Sequence, residues 1–178
     1  QIPLFFAANP NLLPEESEGW DAGLEWTFWG GRAVADVTWF TADVTNKIKG
    51  DGNFPEMPIN LAGVSVHEGL ESSLRFQLLQ TLSVSLGHTW LDAVDNVGLE
   101  EIRRPKHSGH AGVTYGFNEG RGQVTFSAKY NGRTVDEAFR LPAFDRERVR
   151  LDDYWLLGLA ASYKIQPNIE LFGRVENL

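Results

Sequence analysis

The chain has 178 residues, a formal net charge of −8 and no cysteine. The acidic balance excludes a basic nucleic-acid-binding face, and the lack of thiols excludes a disulfide scaffold and any thiolate metal centre. No run of about 18 apolar residues is available for a membrane-spanning helix, whereas 18 glycines, 11 phenylalanines and 6 tryptophans against one methionine suit pleated strands.

Taken in chain order, the elements are read from strict apolar–polar alternation, the signature of a strand with two unlike faces. Trp20, Ala22, Leu24, Trp26 and Phe28 alternate with Asp21, Gly23, Glu25 and Thr27. Gly30 and Gly31 then form a tight turn. Residues 32–44 predict a second strand with Ala35, Val37 and Trp39 on the apolar side and Asp36 on the other. Residues 46–58 predict a long loop. Residues 59–79 predict one long strand with a bulge at Gly69. After a short turn near Gln80, Leu82, Val84, Leu86 and Trp90 share a face on which His88 is the one polar residue. A long loop over 92–106 follows. Ala111, Val113, Tyr115 and Phe117 predict the next strand, and a short turn over 118–122 leads to Val124, Phe126, Ala128 and Tyr130. A long loop spans 133–152. Trp155, Leu157, Leu159, Ala161 and Tyr163 predict a further strand, a turn lies at Gln166 and Pro167, and Ile169, Leu171 and Val175 mark the last.

Roughly eight strands result, most of about ten residues, against about five or six in soluble domains. Ten residues span about 33 Å, enough when tilted to place an apolar band of about 25 Å across a bilayer. Short and long connections alternate throughout, as in outer-membrane barrels with short turns on one side and long loops on the other. Aromatic residues bracket the apolar faces, Trp20 with Phe28 and Trp155 with Tyr163, where rings suit the lipid headgroup boundary. The fold class is therefore all-β, an antiparallel transmembrane β-barrel segment.

Several blocks carry a family resemblance. Asn9, Pro10, Leu12, Pro14 and Glu15 resemble the NPxLxPE block of TonB-dependent receptors. Residues 39–44 resemble its FYTDI strand, and Asn60, Gly69 and Glu71 its N…GVE strand. Residues 89–95 resemble YTYLDAxD, 103–107 the loop end RRPRH, and 174–178 the strand end VENL. The likeness covers nearly the whole chain in the family's order, nearest to cobalamin and catecholate-siderophore receptors. It implies one arc of a barrel of about 22 strands closed by an N-terminal plug. Residues 1–178 would then be a partial C-terminal barrel domain, with the plug, its TonB-contacting box and the final strand lying outside the chain.

The resemblance implies active uptake of an iron-siderophore, cobalamin or similar metal chelate across the outer membrane of a Gram-negative bacterium. Its implied partners are outer-membrane lipid and lipopolysaccharide, the receptor's own plug, the inner-membrane TonB complex acting through that plug, and the chelate. No nucleic acid, cofactor or resident metal is expected.

The candidate ligand residues lie in the long loops: Asp92, Asp95, Arg103, Arg104, Arg140 and Arg148. Arginine forks suit anionic ligands, among them siderophores and lipopolysaccharide phosphate, while neighbouring carboxylates Asp145, Glu147, Asp152 and Asp153 are the alternative partners. Asp92, Asp95, Glu100 and Glu101 form an acidic group that reads as a solvated loop, with an oxygen-ligated calcium ion as the alternative. Asp21, Glu25, Arg75, Lys129 and Arg174 fall on the polar side by alternation and are assigned to the lumen. His107 and His110 would face opposite sides. No nucleophile elbow or Ser/His/acid set is present, so an enzyme is not expected. The rival readings are an autonomous eight-stranded barrel with a structural or adhesion role, an outer-membrane enzyme with active-site residues at the barrel rim, and a soluble β-sandwich module.

Overall fold

A computed structural model describes residues 7–53, 55–141 and 145–178. Its strands are β1 Glu16–Phe28, β2 Ala33–Thr45, β3 Ile48–Gly50, β4 Pro58–Asn60, β5 Val64–Leu79 and β6 Leu82–Val94, then β7 His107–Phe117, β8 Gly122–Asn131, β9 Thr134–Arg140, β10 Asp145–Leu151, β11 Tyr154–Gln166 and β12 Ile169–Glu176. Eight of them form one sheet in the order β1-β2-β5-β6-β7-β8-β11-β12. Every neighbour in it is antiparallel. The hairpins β3–β4 and β9–β10 sit inside two of the long connections.

The registers sort the side chains into two faces. One cross-strand row reads Trp26, Ala35, Leu74, Leu86, Ala111, Ala128, Leu157. The next reads Phe28, Ala33, Phe76, Val84, Val113, Phe126, Leu159, Val175. Rows on the opposite face are polar, for example Glu25, Asp36, Ser73, Gly87, His110 and Lys129. The two-residue period thus carries one chemistry to each side of the whole sheet.

Among the described residues nothing covers the apolar face. Leu24 is 72% exposed and Trp26 62% exposed, while the buried hydrophobic residues among those described are Ala33, Ala93, Ala128 and Val135. The accessible surface is 12905 Å², against about 8,700 Å² for a compact monomer of this mass. A sheet that exposes half again that area needs an apolar environment or further protein on this face.

Aromatic side chains gather at both ends of the apolar face. Trp20 meets Trp39 at 4.4 Å between ring centroids, and Tyr130 meets Trp155 at 4.9 Å. At the other end Trp26, Phe28, Trp29 and Phe76 form a chain of contacts, as do Tyr115, Phe117 and Tyr163. Trp20 to Phe28 and Trp155 to Tyr163 have the same spacing, about 27 Å along a strand, with aliphatic residues between them.

Two of the short connections are tight turns with left-handed residues. Trp29, Gly30 and Gly31 have φ of 53°, 63° and 85°, and Asn118, Glu119 and Gly120 have 52°, 56° and 81°. The glycine pair takes this conformation at no steric cost.

Two expectations are corrected. Residues 59–79 are not one strand: Pro58–Asn60 pairs with Ile48–Gly50, and the wall strand begins at Val64. Asn60 is diverted, its amide bonding the carbonyls of Leu13 at 2.9 Å and Asn46 at 2.7 Å. Nor is Gly69 a bulge. It pairs in register with Phe40 and Leu91, and the irregularity lies between Gln77 and Leu79. The loop 133–152 also has internal structure, the hairpin β9–β10. β1 and β12 lie at opposite edges and do not pair, so the described strands form an open sheet.

Candidate functional site: a cavity among three long connections

Three long connections, residues 46–63, 95–106 and 132–153, emerge at one end of the sheet. They are tied together rather than splayed. Ile102 bridges Val135 in parallel, and Arg103 N donates to Val135 O at 2.7 Å. Arg103 Nε reaches both carboxylate oxygens of Asp136, at 3.0 and 3.2 Å. Lys49 Nζ bonds Glu137 at 3.0 Å, and Arg146 pairs with Glu56 and lies near Glu137. Arg148 donates to the carbonyl of Glu100.

Glu101 is the centre of this network and is only 5% exposed. Its Oε1 takes Lys47 and lies 3.1 Å from His67 Nε2 on β5. Its Oε2 is 4.0 Å from Arg104 Nε. Burial alone pushes the carboxyl up, but the hydrogen bonds and charges of Lys47 and His67 outweigh it and hold the pKa below the ordinary glutamate value. Asp136 is also lowered, chiefly by the Glu137 N–H and then by Arg103. Lys106 is raised by its hydrogen bond to Asp92.

The start of the described chain joins the same assembly. Asn9 Nδ2 bonds Pro58 O at 2.9 Å, Leu13 N bonds Asn60 Oδ1 at 2.8 Å, and Ile48 N bonds Glu15 Oε1 at 2.6 Å. The NPxLxPE residues therefore anchor the β3–β4 connection.

Between the connections lies a cavity of about 840 Å³. Of the sequence-nominated residues, Asp95, Arg103, Arg104 and Arg148 line it. Asp92 and Arg140 do not. Asp92 holds Lys106 at 3.0 Å, and Arg140 pairs with Glu147 across the β9–β10 hairpin. Asp95 also caps its own turn, accepting from Val97 N at 3.0 Å and Leu99 N at 2.8 Å. The acidic group is thus dispersed: Asp92, Asp95 and Glu101 have separate partners, and the described residues hold no cluster of three or more potential metal ligands.

Lys47, Lys49 and Glu137 also line the cavity and escaped the sequence reading. The alternation of Lys47, Ile48 and Lys49 was the one available signal, since it marks a short strand with two cations on one side. Asp21, Glu25, Arg75, Lys129 and Arg174 share the polar face of the sheet, as the registers place them. His107 and His110 face opposite sides, with His110 lying over Gly87.

The family model described as TonB dependent receptor-like, beta-barrel matches residues 2–178. The vitamin B12 transporter BtuB of Photobacterium profundum is 31% identical over 183 residues, which cover 97% of this chain and 27% of the transporter. The ferripyoverdine receptor of Pseudomonas aeruginosa is 21% identical over 182 residues, covering 97% and 22%. The crystal structure of the Pseudomonas aeruginosa ferripyoverdine receptor bound to ferripyoverdine matches the fold with a TM-score of 0.76, at 20% identity over 94% of this chain and 24% of that one. The chain spans about a quarter of the length of these relatives. With its antiparallel wall of unlike faces and its alternating short and long connections, the chain belongs to the TonB-dependent receptor-like β-barrel family.

Proposed function

We propose that this chain is one arc of the wall and outer loops of a receptor that takes up a scarce metal chelate, an iron-siderophore, a corrinoid or a similar nutrient, across the outer membrane of a Gram-negative bacterium. The observation that carries the reading is an open sheet whose apolar face is uncovered and whose two edges are unpaired among the described residues. Backbone groups at such edges have no partners in hydrocarbon, so the arc needs the rest of a closed barrel. The family membership and the quarter-length coverage support the same reading.

In this reading the apolar face meets lipid, and lipopolysaccharide surrounds the loop end. Asp21, Glu25, Arg75, Lys129 and Arg174 line the lumen and face a plug supplied by the rest of the protein. The plug would transmit energy from the TonB complex, because the outer membrane holds no nucleotide pool. Asp95, Arg103, Arg104 and Arg148 would contact the ligand from the loop cavity, while Asp92 and Arg140 hold the loops in shape.

The intact mass of the native polypeptide in the outer-membrane fraction tests the arc. A mass several times 19.9 kDa is expected, and one near that value would overturn it. Uptake of a panel of ferric chelates and corrinoids by whole cells, with and without TonB, tests the activity. Transport that needs both the receptor and TonB is expected. Passage that persists without TonB would mean a passive pore.

A further inference from the structure

We propose that His88 and His107 form a two-imidazole site for a tetrahedral divalent ion, Zn²⁺, on the apolar face of the sheet. The two residues sit on the paired strands β6 and β7, where His88 pairs with Gly109 and Trp90 with His107. Both rings therefore lie on one face, on the diagonal between neighbouring rows. Gly109 puts no side chain beside them.

The ring nitrogens face one another. His88 Nε2 is 3.2 Å from His107 Nδ1, and the rings are 5.4 Å apart at 24°. Two imidazole nitrogens on one tetrahedral zinc, each at about 2.0–2.1 Å, stand about 3.3–3.4 Å apart. The observed spacing is already that edge. A square-planar ion would need the nitrogens at about 2.8 Å, which disfavours Cu²⁺.

The setting suits a cation. Glu68 and Asp92 lie on the same face, one row beyond Leu70 and Trp90, and pair directly across β5 and β6. Carboxylates so opposed repel each other. Lys106 offsets Asp92, whereas Glu68 has no ion-pair partner among the described residues. Both imidazoles are exposed and sit at the level of the Tyr130–Trp155 contact, the headgroup boundary, where water can reach the remaining coordination positions. Without metal the pair is held by one N–H···N hydrogen bond between the rings, and zinc binding replaces that bond without moving the strands. The site is separate from the loop cavity and does not depend on which nutrient the receptor carries.

The test uses the full-length protein purified in detergent and stripped with chelator. Dialysis against Zn²⁺ with metal counting should show one equivalent that is lost in His88→Gln and equally in His107→Gln, with no further loss in the double variant. His110→Gln, on the other face, should retain it. Co²⁺ in place of Zn²⁺ should give the visible absorption of tetrahedral coordination in the wild type and His110→Gln, and not in His88→Gln or His107→Gln. Equal metal content and equal Co²⁺ spectra in wild type and both variants would overturn the proposal. If the variants fail to insert, the wild type decides. Zn²⁺ should protect His88 and His107, but not His110, from diethyl pyrocarbonate, and equal modification with and without Zn²⁺ would overturn it.

Discussion

His67 Nε2 lies 3.1 Å from Glu101 Oε1, and this contact ties a wall strand to the connection that follows the next strand. Lys47 reaches the same oxygen from a third segment. One nearly buried carboxylate thus links two connections that border the loop cavity to a wall strand. A buried anion is tolerated only when it is paired, so the arrangement is specific as well as cohesive.

Replacing Glu101 by Gln keeps the shape and removes the charge. Lys47 and His67 then face a neutral amide, and the local closing of residues 46–63 and 95–106 should weaken by about 1–3 kcal/mol, allowing for the partial exposure of Lys47. Amide exchange in those segments of the full-length receptor should accelerate, while β6 and β7 stay protected. Unchanged exchange in both segments would show that the ion cluster does not hold the loops.

The same contacts set a pH dependence. Glu101 and Asp136 both have folded pKa values below their ordinary ones. A lowered carboxyl contributes stability that is fully present above its unfolded pKa and is lost as pH falls through the folded value. Loop closure should therefore be complete above about pH 5 and fade below about pH 4. Lys106 has the opposite sign: its raised pKa contributes below about pH 10 and is lost only in strong alkali. Exchange corrected for intrinsic rates should show the loop segments opening at pH 3 with the wall intact. Equal protection at pH 3 and pH 6 would contradict this.

The wall was legible in the sequence because a two-residue period leaves no freedom once one face is apolar. Leu82, Val84 and Leu86 on β6 and Leu157 and Leu159 on β11 announce their face unaided. The loop site was only half legible. Arg103, Arg104 and Arg148 were found by charge, but alternation says nothing about which loops meet. The partners Lys47 with Glu101 and Arg103 with Asp136 join segments far apart in the chain. Ile59 misled by continuity, because its apolar side chain extends the pattern of β5 backwards while Asn60 turns the backbone into a separate hairpin. Gly69 misled because a glycine in a strand reads as a bulge, whereas here the Phe40 ring covers it in register. The histidine pair was hidden because His88 and His107 meet only through the β6–β7 register.

The two faces predict opposite tolerance to charge at consecutive positions. Leu74 lies in the middle of the apolar band, in the row of Leu86 and Ala111, and Ser73 lies on the polar face beside Asp36. Leu74→Arg should cost about 2–4 kcal/mol in the folded membrane protein, whereas Ser73→Arg should cost less than about 1 kcal/mol. Urea unfolding in lipid vesicles measures both. Similar costs at the two positions would mean that the apolar face does not meet lipid.

Gly69 is set by close approach on two sides. A Cβ there would stand 2.5 Å from the carbonyl oxygen of Trp90 and 2.6 Å from Cζ of Phe40. The ring can turn aside, but the carbonyl belongs to the neighbouring strand and cannot move without disturbing the β5–β6 ladder. Gly69→Ala should therefore destabilise the wall by about 1–3 kcal/mol. Adding Phe40→Leu should recover only part of the loss, because it relieves the ring and leaves the carbonyl. Gly173→Ala is the control: a Cβ at that position meets nothing within 4 Å, so its stability should stay within about 0.5 kcal/mol of the wild type. Denaturant midpoints of the four proteins in one detergent make the comparison. Full rescue by Phe40→Leu would assign the glycine to the ring alone, and equal effects at Gly69 and Gly173 would remove the steric argument altogether.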